Sequence, residues 1–150
     1  MQVVTKRFGT LEVDPSNVLT FPEGLYGFPD YHEYVAVDFQ VAGECVHWLQ
    51  AVSEPALGFV TLDPKAVLPD YDPEFCPQDL APLMAMPDEL VLLSVVTVPG
   101  DVRQMTVNLQ APLVINPHKR LARQVIVSSP EYTTKHYAFS ALSSLSQRTG

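Results

Sequence analysis

Proline is what most limits how this chain folds. Fourteen prolines stand among 150 residues, against seven glycines. Inside a helix each proline removes a hydrogen bond and drives its ring against the carbonyl one turn back. Long helices, and with them a bundle or a coiled coil, are excluded on that ground. Between the prolines lie short apolar or alternating runs bounded by turn residues, the pattern of a sandwich or barrel. At this length one domain is expected, and a hydrophobic content of 47% supplies a core without metals or disulfides. The expected fold is all-β: a small single-domain barrel-like or sandwich fold of short antiparallel strands, with at most one or two short helical turns.

The runs can be placed along the chain. Gln2–Lys6 and Thr10–Val13 flank Gly9 as a hairpin, and Asp14-Pro15-Ser16-Asn17 turns into Val18–Phe21. Gly24 and Gly27 make a tight loop that needs positive φ. Tyr34–Asp38, Val46–Val52 and Gly58–Leu62 read as strands, with a turn at Val41–Glu44. Leu90–Val98 is nearly all apolar and belongs in the middle of the core. Met105, Val107, Leu109 and Ala111 alternate with Thr106, Asn108 and Gln110, so Met105–Ala111 shows one face inward. Pro112 interrupts, Leu113–Ile115 continues, Asn116-Pro117 turns, and Leu121–Val127 returns as a hairpin partner. Pro77–Met86 starts with a proline suited to a first helical position, but Pro82 limits it to a turn or two.

The stretch Asp63–Glu89 carries few strand signals and seven acids: Asp63, Asp70, Asp72, Glu74, Asp79, Asp88 and Glu89. A long excursion of this kind in a compact domain is usually functional. Charge is uneven over the whole chain. Residues 1–100 hold fifteen Asp/Glu against three Lys/Arg, a net of −12, while residues 101–150 hold two against six, a net of +4. An acidic surface repels phosphate backbones and attracts basic partners. Direct nucleic-acid binding is therefore not expected, and the basic turn of His118, Lys119, Arg120 and Arg123 is too short a patch to reverse that.

No apolar run approaches the 18 residues of a membrane-spanning helix, and Met1–Thr10 lacks the apolar core of a signal peptide. A cytoplasmic protein is expected, with Cys45 and Cys76 as reduced, semi-buried thiols rather than a disulfide or zinc framework. The polar run Ser140–Gly150 is expected to fray.

A search for chemistry finds no nucleophile elbow, P-loop or dinucleotide fingerprint. His32, His47, His118 and His136 show no metal-ligand spacing, so neither a metal nor any other cofactor is expected. His47 should point away from Trp48 as a surface or satisfied histidine. Asp70-Tyr71-Asp72, if extended, puts two carboxylates on one face. A small carboxylate-dependent hydrolase using Asp70 and Asp72 is the alternative such a pair raises; a solvated acidic loop is the plainer account. Phe21, Tyr26, Phe28, Tyr31 and Tyr34 form either a recognition patch or a plug for one end of the barrel.

Several motifs together resemble the bacterial flagellar assembly factor family, FliW. They are Thr5-Lys6-Arg7-Phe8-Gly9, the run Phe21-Pro22-Glu23-Gly24-Leu25-Tyr26-Gly27-Phe28, Trp48–Val52, Pro55–Val60, Pro69-Asp70-Tyr71, Val96–Val98, Met105–Asn116 and Arg123–Val127. The resemblance spans about residues 3–136, and it implies a domain over 1–138 with 139–150 as a tail. It further implies a cytoplasmic, non-enzymatic protein, a monomer when free, with two protein partners. One is flagellin, held in a chaperone-like way. The other is the RNA-binding translational regulator CsrA, whose repression of flagellin translation it relieves. The charge pattern suits such a role, and the expected contact surface is the acidic loop. Asp63, Asp70 and Asp72 would steer a basic partner, Tyr71 would supply apolar area, and Glu54 would stand nearby on the preceding turn.

Overall fold

The computed structural model describes residues 1–41 and 44–138. In chain order the strands are β1 (Gln2–Thr5), β2 (Gly9–Glu12), β3 (Leu19–Thr20), β4 (Glu33–Val41), β5 (Glu44–Ala51) and β6 (Gly58–Leu62). After the excursion, which carries α1 (Pro77–Leu80), come β7 (Val91–Thr97), β8 (Thr106–Val107), β9 (Leu113–Asn116), β10 (Leu121–Gln124) and β11 (His136–Tyr137).

Seven of these strands close into a barrel. The order runs β7-β6-β5-β4-β3-β10-β9, and β9 pairs back onto β7. All contacts in the ring are antiparallel except a single parallel bridge, Leu121 to Thr20, between β10 and β3. Directly opposite residues share a face, and the registers agree all the way round. Leu19 faces Tyr34, Tyr34 faces Ala51, and Leu49 faces Phe59. Leu93 faces Leu113, and Ile115 faces Ala122. These residues form one cluster, drawn from every strand of the ring, and it fills the interior.

The outer wall is buried as well. Val46, Leu62, Val96 and Val107 point away from the interior and are covered by Val67, Tyr71, Val127 and Tyr132. Val114, on the outer side of β9, packs under Leu83. The near-continuous apolar run of β7 follows from this, because the strand is covered on both faces and pairs with β6, β8 and β9.

The alternation of Met105–Ala111 is borne out in burial but not in length. Met105, Val107, Leu109 and Ala111 are buried, yet β8 stops at Val107. Asn108 ends it, because its Oδ1 accepts from the backbone N–H of Gln110 (3.1 Å) and Ala111 (3.0 Å) in place of a ladder. The five aromatics divide: Phe21 and Tyr34 are fully buried and meet edge-to-face at 5.3 Å, whereas Tyr26 is 60% exposed. Gly24, at φ +68°, sits where a Cβ would strike the Phe28 carbonyl at 2.5 Å. Gly58 leaves room for the Trp48 indole, which a methyl group would overlap.

Helical content among the described residues is the single turn α1 and five 3-10 turns, more turns than expected. Proline begins three of the 3-10 turns as well as α1, so the proline load appears as turn starts. No described helix is long and apolar enough to cross a membrane. Cys76 is exposed rather than semi-buried, because it is the residue just before α1. The Cys45 side chain, the turn at 42–43 and the tail 139–150 lie outside the described residues.

Candidate functional site

The acidic excursion is laid against the outer wall of the barrel and pinned there. It leaves β6 at Asp63, whose carboxylate accepts from the Lys65 backbone N–H at 2.9 Å and caps a 3-10 turn started by Pro64. Tyr71 is the first pin. It is 2% exposed, its hydroxyl donates to the Leu109 carbonyl at 2.7 Å, and its ring meets Tyr132 edge-on at 4.6 Å. Burial, with the Tyr132 phenol second, raises the Tyr71 phenol well above its ordinary range. The Asp72 N–H donates to the Tyr132 hydroxyl (3.0 Å) and the Glu74 N–H to Ser129 Oγ (2.9 Å), which holds residues 72–74 extended along the 128–132 segment. Leu83 is the second pin, 2% exposed over Val114, with its carbonyl taking the buried Asn116 Nδ2 at 2.8 Å.

Between the pins runs a furrow. Its central hollow, about 240 Å³, is floored by Phe75, Leu80, Leu90 and Leu92, with Lys65 and Asp72 at the rim. A neighbouring hollow of about 430 Å³ shares Pro73, Phe75, Leu80 and Pro87 with it. A third shares Lys65, Tyr71, Leu90 and Leu92, and carries Asp63. Met84 (60%), Met86 (65%) and Val91 (45%) are exposed large apolar residues on the same stretch of chain. Lys65 is its sole cation against seven acids. One of those acids, Asp79, is already paired: Arg123 lies 3.6 Å from it and 3.2 Å from Glu23. Asp63, Asp70, Asp72, Glu74, Asp88 and Glu89 all face solvent. The result is an apolar floor with Asp63, Asp72 and Lys65 in its walls and four more exposed carboxylates on the same excursion, suited to an apolar surface flanked by cations.

The expected site residues come together only in part. Asp63 and Asp72 line the furrow, and Asp70 is exposed beside them but outside its walls. Tyr71 is 2% exposed and bonded into the core, so it shows only a ring edge to two of the hollows and turns Asp70 and Asp72 outward on either side of it. Glu54 lies at the other end of β6 from Asp63 and lines none of the furrow's hollows. Glu54 belongs to a turn organised by the buried Gln50, whose Nε2 donates to the Glu54 and Leu57 carbonyls at 3.1 Å. The floor residues Phe75, Leu80 and Leu90 and the exposed methionines were not singled out from sequence, although the apolar positions of Pro77–Met86 carry their signal.

A hydrolytic pair needs both carboxyls on one enclosed substrate, and Asp70 does not share the hollow that Asp72 lines. Among the described residues no group of three or more His, Cys, Asp or Glu is placed to hold a metal. His47 is satisfied, its Nδ1 lying 2.6 Å from Asp38 Oδ1 on the neighbouring strand.

The family described as FliW protein matches residues 2–138. The chain belongs to the FliW family. Among FliW relatives, a flagellar assembly factor of Alkaliphilus metalliredigens is 34% identical over 99% of this chain and 93% of its own length. One of Moorella thermoacetica is 39% identical over 93% of this chain and 89% of its own. A crystal structure of a flagellar assembly factor FliW superposes with a TM-score of 0.83 at 34% identity, covering 93% of this chain and 97% of that one. The seven-stranded barrel is thus the FliW fold.

Proposed function

We propose that this chain is a cytoplasmic flagellar assembly factor that works by binding proteins and catalyses no reaction. Its partners in this reading are the translational regulator CsrA, whose repression of flagellin translation it relieves, and flagellin, which it holds as a chaperone-like partner; free, it is a monomer. Family membership and the names of the relatives support the assembly role. The observation that carries the binding mode is the furrow, an apolar floor with Asp63 and Asp72 in its walls and four further solvent-facing carboxylates on the same excursion.

A regulator that grips RNA presents cationic surface. The furrow's carboxylates draw that surface in, and Asp63, Asp70 and Asp72 steer the encounter. Once docked, the same charges lower the positive potential next to the RNA path and repel incoming phosphates. Their reach is about a Debye length, ~8 Å at physiological salt, so the furrow must dock close to that path. Titration of the purified chain into CsrA and into flagellin, by calorimetry, tests the reading. Saturable heats with both, and release of flagellin mRNA from CsrA in the first case, are expected. Absence of binding to either partner at low salt would reject it.

A further inference from the structure

A separate hollow, of about 370 Å³, opens at one mouth of the barrel. Leu25, Phe59 and Val95 form its floor and belong to the cluster that fills the interior, so the hollow is a shallow entry into the barrel itself. Tyr26 (60% exposed) and Ile126 (53% exposed) stand at the lip. The remaining polar wall is amide and hydroxyl: Asn108, Gln110, Gln124 and Thr134. No wall residue is charged at neutral pH, in a chain with seventeen carboxylates and nine Lys/Arg.

The polar wall is partly spent and partly free. Gln124 is fixed, accepting from the Tyr26 N–H at 2.9 Å and donating to the Ala111 carbonyl at 3.1 Å. Among the described residues Asn108 uses only its oxygen, on the N–H groups of Gln110 and Ala111, which leaves Nδ2 to donate. The Gln110 side chain is exposed and makes no hydrogen bond among the described residues. One held amide nitrogen and one free carboxamide beside an apolar floor match the donors and acceptors of a peptide backbone with an apolar side chain. A charged ligand would have to shed its water against this wall with no counter-charge to receive it. The volume lies at the low end of ligand pockets, which run from roughly 300 to 1,000 Å³ and favour barrel mouths.

We propose that the barrel mouth is a second docking site, distinct from the acidic furrow, which takes an uncharged stretch of a partner polypeptide. One branched apolar side chain enters against Leu25, Phe59 and Val95, while Asn108 and Gln110 bond the flanking backbone. The proposal rests on the reading that this chain works by binding proteins, but its test uses no partner, so the two fail separately.

The isotope-labelled full chain is titrated with N-acetyl-leucine amide and followed by its backbone amide signals. N-acetyl-aspartate amide, N-acetyl-lysine amide and isobutanol, which lacks a peptide group, are run in parallel. Saturable shifts at Tyr26, Asn108, Gln110 and Ile126 are expected with capped leucine alone, equal at low and high salt. Ile126→Lys, on an exposed residue, abolishes them while signals of the inner cluster stay in place, and Gln110→Ala weakens them. Asp70→Lys with Asp72→Lys leaves them unchanged. No saturable shift at those residues overturns the proposal, as does an equal response to the charged caps. So does an equal response to isobutanol, which would make the mouth a plain apolar cavity, and so does full retention in Ile126→Lys.

Discussion

The furrow and the barrel mouth are both hollows with apolar floors, and they differ in what surrounds the floor. The furrow lies outside the barrel wall, on an excursion with seven acids and one lysine. The mouth opens into the barrel and has no charged wall residue. On the proposed reading, the difference lets one small fold separate two kinds of recognition. Charge at a rim acts at a distance, raises encounter rates and is screened by salt. An uncharged amide rim acts only in contact and is indifferent to salt. It also teaches that the outer wall of a small barrel can be a second core, because the excursion that carries the acids is held by buried residues of its own.

Breaking the furrow's support is expected to have the largest effect. Leu83→Ala removes the pin over Val114 and costs about 2–5 kcal/mol, read from denaturant unfolding. The mouth's response to capped leucine should survive under conditions where the variant is folded; its parallel loss would mean the two hollows are one unit.

Tyr71→Phe removes the bond to the Leu109 carbonyl and costs about 1 kcal/mol at neutral pH. Its phenol is raised by burial and then by Tyr132, so the stability linked to it is present below the ordinary phenol value of ~10 and is lost as pH rises beyond that. Wild type is expected to weaken in alkali more steeply than Tyr71→Phe, by unfolding midpoints compared near neutrality and above about pH 10. Equal slopes would show that another group controls the alkaline limb.

Tyr34→Phe sharpens the contrast with an opposite sign. Tyr34 is fully buried in the barrel, its hydroxyl has no hydrogen-bond partner among the described residues, and burial pushes it up to about 12. Removing an unsatisfied hydroxyl is expected to be neutral or to stabilise by up to ~1 kcal/mol, in the same denaturant assay. The smallest effect is that of Ile126→Lys on stability, within about 0.5 kcal/mol, although it is expected to close the mouth to capped leucine.

Much of the barrel was legible because its strands obey local rules. The turn at Asn116-Pro117, the alternation in Met105–Ala111 and the doubly covered run of β7 all read directly from residue order. What was not legible depends on distant partners. In Asp70-Tyr71-Asp72 the alternation is plain, but which face is inward depends on Leu109 and Tyr132, far along the chain. Glu54 is near Asp63 in sequence and is carried off by the length of the strand between them. Arg123 reads locally as part of a basic turn; Glu23, 100 residues away in sequence, and Asp79, 44 residues away, take up its charge. The family motifs mark mostly core and turn positions, so they identified the fold and touched the furrow only at Pro69-Asp70-Tyr71.

The central claim is that the furrow's carboxylates, held outward by a buried tyrosine, steer a cationic protein partner. Stopped-flow association with CsrA, over a range of salt, tests it for wild type and for Asp70→Lys with Asp72→Lys. The predicted result is a slower association for the variant at low salt and a flatter dependence on salt, with dissociation little changed. Identical association rates and salt slopes for the two proteins would contradict it.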